Sequence, residues 1–185
     1  MDADVFPIGK KSKTFIINHL KFILAYAEKR FDILIIACNS MSSFLSFIDL
    51  SEYKLKVYSI FEENLKSIND DVTFIGTSAT LSNVSCMHKI ALDQLPSLIE
   101  NNEILKIINC IDRLQINTHR AILGCTHFPF IKFIFEDMWK DVIFLSNEDN
   151  IISQLPDEGI LRINGNKKAR KYLDDYLNLG NKILC

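Results

Sequence analysis

The chain reads as an α/β protein built on a parallel sheet, or on two of them, and three observations predict it. Short apolar runs alternate with segments of helical spacing along the 185 residues, the pattern of βαβ units and a parallel sheet. Two of the runs end alike: Ile33-Leu34-Ile35-Ile36-Ala37 opens into Cys38-Asn39-Ser40, and Ala121-Ile122-Leu123-Gly124 opens into Cys125-Thr126-His127-Phe128-Pro129. An apolar run cut off by a small residue is the end of a buried strand passing into a loop. The space beyond the carboxyl ends of strands is where α/β sheets bind ligands. Third, nearly half of the residues are hydrophobic and a quarter charged, the composition of a globular protein able to bury a core.

Taken in order, residues 5–12 carry Pro7 and Gly9 two apart and form a loop. The spacing of Phe15, Ile16, Leu20, Ile23, Leu24 and Ala27 predicts a helix over 12–30 with Ser12 as its N-cap. Residues 31–37 form the first strand, expected to be buried on both faces. Phe44, Leu45, Phe47 and Ile48 share the apolar face of a helix over 40–50, and a strand over 56–60 and a helix over 62–68 follow. A second unit begins with a strand over 72–75. It ends in Gly76-Thr77-Ser78-Ala79-Thr80, a small-residue loop whose backbone N–H groups suit a carboxylate or phosphate at a helix start. Residues 103–117 read as mostly helical, 119–123 as the strand feeding Cys125, 129–139 as a helix, 142–145 as a last strand and 167–177 as a closing helix. This pattern assigns residues 1–67 and 141–185 to the first lobe, with Cys38, and 68–140 to the second, with Cys125. The active site is expected in the cleft between the lobes.

A net charge of −2 provides no basic surface for nucleic acid. No apolar run reaches the roughly 18 residues of a membrane span. Met1-Asp2-Ala3-Asp4 lacks the layout of a signal peptide, so a cytoplasmic protein with no membrane partner is expected. Five cysteines, odd in number, widely spaced and without a Cys-x-x-Cys pair, argue against a disulfide framework and a structural zinc site.

A lone buried cysteine is usually a small hydrophobe. Two at matching strand ends, each followed by hydrogen-bonding residues, point instead to chemistry. His127, two residues after Cys125, is placed to stabilise a thiolate. Cys86, Cys110 and Cys185 have no such setting, and His19, His88 and His119 stand alone. Three chemistries are open for the pair. Zinc would have Cys38, Cys125 and His127 as its set, one ligand short of a closed site. A Cys–His nucleophile for acyl transfer leaves one cysteine unexplained. Two thiols facing each other across a cleft fit a reaction in which one removes a proton and the other returns one to the opposite face.

Ala37-Cys38-Asn39-Ser40 resembles the Ala-Cys-Asn-Thr motif of glutamate racemases, and Gly124-Cys125-Thr126-His127-Phe128-Pro129 resembles their Gly-Cys-Thr-His-Tyr-Pro motif. Gly76-Thr77-Ser78-Ala79-Thr80 lies between them where the family has Gly-Thr-x-x-Thr, and Pro7-Ile8-Gly9 with Lys11-Ser12 is similar to Pro-Tyr-Gly-x-Lys-Ser. The resemblance implies a racemase for glutamate built of two similar parallel-sheet α/β lobes, with the amino acid bound in the cleft between them. It also implies an enzyme that uses neither cofactor nor metal and supplies D-glutamate for peptidoglycan. By the same resemblance Cys38 works on the α-proton of the D-enantiomer and Cys125 on that of the L-enantiomer. Ile8, Gly9, Asn39, Ser40, Thr80, Thr126 and His127 match positions that hold substrate or support the thiols, and Glu100 matches an acidic residue assisting Cys125.

The departures are specific. Ile8 stands where the family has Tyr and loses a hydroxyl, whereas Ser40 in place of Thr keeps one. The family begins with a strand ending in Asp-Ser-Gly, while the first residues here already match the following loop. The expectation is a chain without the first strand of its N-terminal lobe, whose open sheet edge invites pairing and makes a homodimer the expected assembly. A racemase for another acidic amino acid such as aspartate, and a shortened silent remnant of the family, are the competing readings.

Overall fold

The computed structural model describes residues 7–155, and the helix expected over 167–177 lies outside them. Helix α1 (Lys13–Glu28) begins where expected, because the Ser12 hydroxyl accepts the Phe15 N–H at 3.2 Å and satisfies one orphan donor of the first turn. Ile16, Leu20, Leu24 and Ala27 form its buried stripe. Strand β1 (Ile33–Ile36) runs parallel to β2 (Lys56–Ser59), with Ile33 opposite Lys56 and Ile36 opposite Ser59. Ile36 is buried but Ile33, Leu34 and Ile35 are only half-buried, less than expected. Among the described residues β1 pairs with β2 alone.

The helix expected over 40–50 is broken. A single turn, α2 (Asn39–Ser42), gives way to 3-10 turns at Leu45–Phe47 and Leu50–Glu52. The serines compete for the carbonyls that a longer helix would use: Ser42 Oγ donates to the Cys38 carbonyl at 2.9 Å and Ser43 Oγ to that of Ser40 at 3.2 Å. After β2 comes α3 (Ile60–Leu65), capped by the Ser59 hydroxyl accepting the Glu62 N–H.

The second sheet has the strand order β4-β3-β5-β6, all parallel, from β3 (Val72–Gly76), β4 (His88–Ala91), β5 (Arg120–Gly124) and β6 (Ile143–Leu145). Strand β4 was not expected. His88-Lys89-Ile90-Ala91 alternates between half-buried and exposed at the edge of the sheet, so it carries no apolar run. Because β6 pairs with β5, the sheet that carries Cys125 continues to Leu145, past the boundary drawn at residue 140. Between these strands lie α4 (Ser78–Leu81), α5 (Leu95–Glu100), α6 (Ile104–Ile111) and α7 (Lys132–Met138), and α8 (Glu148–Ile152) follows β6. The expected helix over 129–139 starts instead as a 3-10 turn at Phe128–Ile131.

Alternation along β3 and β5 divides the core into two layers. Ile75, Ala121 and Leu123 face α5, α6 and α7, packing with Leu95, Ile107, Ile111 and Phe135. Val72, Phe74 and Ile122 face the other way, against Phe61, Leu81 and Val84. Phe61 of α3 meets Phe74 edge-to-face with centroids 6.5 Å apart, so the elements of the two sheets share this layer. Beyond β6 the chain returns to the first sheet, where Ile151 packs with Tyr58 and Ile60 and the Tyr58 hydroxyl donates to the Gln154 carbonyl. No described helix is long and apolar enough to cross a membrane.

Candidate active site

The two cysteines stand at corresponding places. Cys38 follows β1 and occupies the N-cap position of α2, while Cys125 follows β5 directly. Each is thus at the carboxyl end of a parallel strand, in a different sheet. Cys125 is buried, and burial pushes its thiol up to about 12; the backbone N–H of His127 opposes that shift, and negative charge on Cys38 adds to it. Cys38 is half-buried, and desolvation raises its thiol too, against hydrogen bonds from the backbone of Met41 and Ser40. Both groups are therefore thiols at neutral pH in the ligand-free protein.

A relay leads away from Cys125. Its Sγ lies 3.7 Å from His127 Nδ1, and His127 Nε2 lies 2.9 Å from Glu100 Oε1 at the end of α5. The Glu100 carboxylate only accepts, so it fixes the proton on Nε2 and leaves the Nδ1 lone pair toward the thiol. A proton passing from Sγ to Nδ1 would yield a thiolate and an imidazolium held by Glu100. Burial of His127 strengthens that pairing.

A second cluster lies between the sheets. Ser40 Oγ is 2.8 Å from Thr77 Oγ1 and 3.1 Å from Thr80 Oγ1, which are themselves 3.1 Å apart, and all three residues are buried. Gly9 lies directly on it, since a Cβ there would stand 3.2 Å from Thr77 Oγ1 and 3.4 Å from Ser40 Oγ. Buried Ile8 precedes it in the same turn. The loop after β3 is held from its far side by Asp93, whose carboxylate accepts the Ser78 N–H at 2.8 Å and the Ser78 hydroxyl at 2.5 Å.

The expected residues thus fall into three groups: Cys125, His127 and Glu100 in the relay; Gly9, Ser40 and Thr80 around the hydroxyls; and Cys38 with Asn39 at the start of α2. Thr126 is half-buried between Cys125 and His127. Sequence reasoning left out Thr77, although it sits in the loop singled out, and also Asn64 and Asn147. Asn64 Nδ2 donates to Asn39 Oδ1 at 2.8 Å, and Asn147 Nδ2 donates to Asn64 Oδ1 at 2.9 Å. No local signal marks these two asparagines, because their partners are 25 and 83 residues away. Among the described residues no three His, Cys, Asp or Glu side chains gather to hold a metal ion. A surface cleft of about 480 Å³ beside Thr118, Trp139 and Val142 opens at the amino ends of β5 and β6, the end of the sheet opposite Cys125.

No protein-family model matches the chain. It is similar to the glutamate racemase of Buchnera aphidicola subsp. Schizaphis graminum, 26% identical over 187 residues covering 84% of this chain and 72% of that protein. It is likewise similar to that of Borreliella burgdorferi, 28% identical over 170 residues covering 80% of this chain and 64% of the other. In fold it resembles the crystal structure of glutamate racemase from Francisella tularensis in complex with D-glutamate, with a TM-score of 0.68 at 19% identity, over 83% of this chain and 68% of that one.

Proposed function

From the similarity of the chain to glutamate racemases in sequence and in fold, we propose that it interconverts L- and D-glutamate by a two-base mechanism. The observation that carries the mechanism is the pair of thiols, each at the carboxyl end of a strand in its own parallel sheet. One thiol, once deprotonated, takes the α-proton from one face of the bound amino acid; the other, still protonated, returns a proton to the opposite face. No cofactor takes part.

Cys125 serves the L-enantiomer and Cys38 the D-enantiomer in this reading. The relay through His127 to Glu100 supports Cys125 as the base for L-glutamate, since the proton has a place to go. Cys38 has backbone N–H groups of α2 directed at it instead. An α-proton is weakly acidic, so the substrate carboxylate needs polar contacts that strengthen as charge develops on it. Asn39, Ser40, Thr80 and Thr126 are the residues this reading assigns to it. The D-glutamate formed would serve peptidoglycan synthesis, in the cytoplasm, a setting that suits the four free thiols among the described residues.

The test is solvent exchange together with turnover. In deuterium oxide the protein should interconvert the glutamate enantiomers, followed by circular dichroism, and place deuterium at Cα. Cys38→Ala and Cys125→Ala should each abolish interconversion in both directions. Full interconversion by either variant would show that one thiol suffices, and turnover of aspartate in place of glutamate would reassign the substrate.

A further inference from the structure

Four asparagine side chains form a single file that ends beside Cys38. Asn150 Nδ2 donates to Asn147 Oδ1 at 3.3 Å, Asn147 Nδ2 to Asn64 Oδ1 at 2.9 Å, and Asn64 Nδ2 to Asn39 Oδ1 at 2.8 Å. Every bond runs in the same sense, with the amide nitrogen of one residue on the carbonyl oxygen of the next, and the distances shorten inward. Asn150 is exposed, Asn147 half-buried, and Asn64 and Asn39 buried. The file begins on α8, crosses α3 and ends on the first residue of α2, so it links three segments remote in sequence.

An amide can point either way by a half-turn of its terminal bond, and the two orientations exchange a donor for an acceptor. For Asn39 the choice is made by Asn64. With Oδ1 accepting from Asn64, Nδ2 turns the other way, and it makes no hydrogen bond within the described residues. Head-to-tail amide dipoles polarise one another, which strengthens the donor at the end of such a chain. Resting on the racemase reading above, we propose that Asn64 and Asn147 are positioning residues: they orient the Asn39 amide so that its NH₂ donates to the carboxylate of the bound amino acid. A carboxylate accepts only. The opposite orientation would meet it with an oxygen and repel it.

The experiment reverses or removes the file and reads Asn39. Asn64→Asp keeps the shape but cannot donate, so Asn39 should turn over and give its NH₂ to the new carboxylate. KM for both enantiomers should rise about 10- to 100-fold, the scale of losing a hydrogen bond to a charged group. Because the contact holds the bound carboxylate and also strengthens as charge develops on it, most of the loss should appear in KM, with a smaller fall in kcat. Asn64→Leu and Asn147→Leu leave Asn39 uncommitted without adding charge, and their KM should rise less, a few-fold. A purely structural role predicts the reverse order, with the Leu variants worse than the Asp isostere and kcat falling with them. The second readout needs no turnover. The Asn39 side-chain amide signals in ¹H–¹⁵N NMR spectra, assigned by their loss in Asn39→Ser, should exchange quickly with water in the wild type and become protected in Asn64→Asp. Unchanged signals, or a KM effect no larger in Asn64→Asp than in Asn64→Leu, would overturn the proposal. A wild-type protein that neither binds nor racemises glutamate would overturn the racemase reading instead, and the amide signals would still decide how Asn39 is held.

Discussion

Gly124→Ala should damage both stability and chemistry, through one aromatic ring. No glycine among the described residues has a positive φ, so backbone freedom does not explain a glycine just before Cys125. Phe74 does. It is fully buried on β3, and its ring lies over the paired Gly76 and Gly124 at the ends of β3 and β5. A Cβ on residue 124 would stand 2.0 Å from Phe74 Cε1, 2.6 Å from Cζ and 2.9 Å from Cδ1. Restoring ordinary contact needs a shift of about 1.5 Å or more, since carbon atoms sit about 3.5–4.0 Å apart. The ring is enclosed by Phe61, Leu81, Val84 and Ile122 and has nowhere to go. Overpacking of this kind costs about 1–3 kcal/mol, or roughly 2–10 °C in Tm for a chain of this size. If the strand end moves instead, Cys125 is misplaced, and an error of about 1 Å at a reacting group can cost about 10²-fold in rate. Urea unfolding and racemase kinetics would be measured for Gly124→Ala, Phe74→Leu and the double variant. Phe74→Leu alone should cost about 1–2 kcal/mol. The double variant should cost less than the sum, because leucine lacks the atoms that clash; coupling of about 1 kcal/mol or more is expected. Strict additivity, or a Gly124→Ala protein within about 0.5 kcal/mol of wild type and fully active, would refute the steric account.

Two further outcomes follow from the relay and the buried thiols. Glu100→Gln keeps a hydrogen-bonding group beside His127 Nε2 but removes the charge that supports an imidazolium, so kcat/KM should fall about 10- to 100-fold; because the enantiomers have equal free energy, the loss must be equal in both directions, and an unaltered rate would sever Glu100 from the chemistry. The second concerns alkaline stability. With its thiol pushed up to about 12 by burial, Cys125 keeps its proton in the folded state over a range where the unfolded chain has lost it. Stability should therefore be level below the ordinary thiol value and fall as pH rises from about 9 toward 12, by about 1.4 kcal/mol per pH unit from this group. Urea midpoints at pH 8 and 10 should show a steeper decline for wild type than for Cys125→Ala, and identical slopes would mean the thiol is not desolvated.

The alternation of strands and helices, the two strand ends and both thiols are legible along the chain, because they depend on near neighbours. A run such as Ala121–Leu123 is buried wherever it lies, and the turn that follows it must carry whatever comes next. Ser12 could be named as a cap for the same reason, since its partner is three residues away. Local reading failed where side chains compete or pair at a distance. The serines after Cys38 broke a helix that apolar spacing alone predicted, and β4 escaped notice because an edge strand needs only one buried face. That Glu100 reaches His127 across 27 residues, that Thr77 joins Ser40 and Thr80, and that Phe74 is the reason for Gly124 emerge only in the packed fold. Hydrogen bonds and contacts of this kind depend on which strands become neighbours. That order, with β3 between β4 and β5, is settled by packing the whole sheet and is written in no single stretch of the chain.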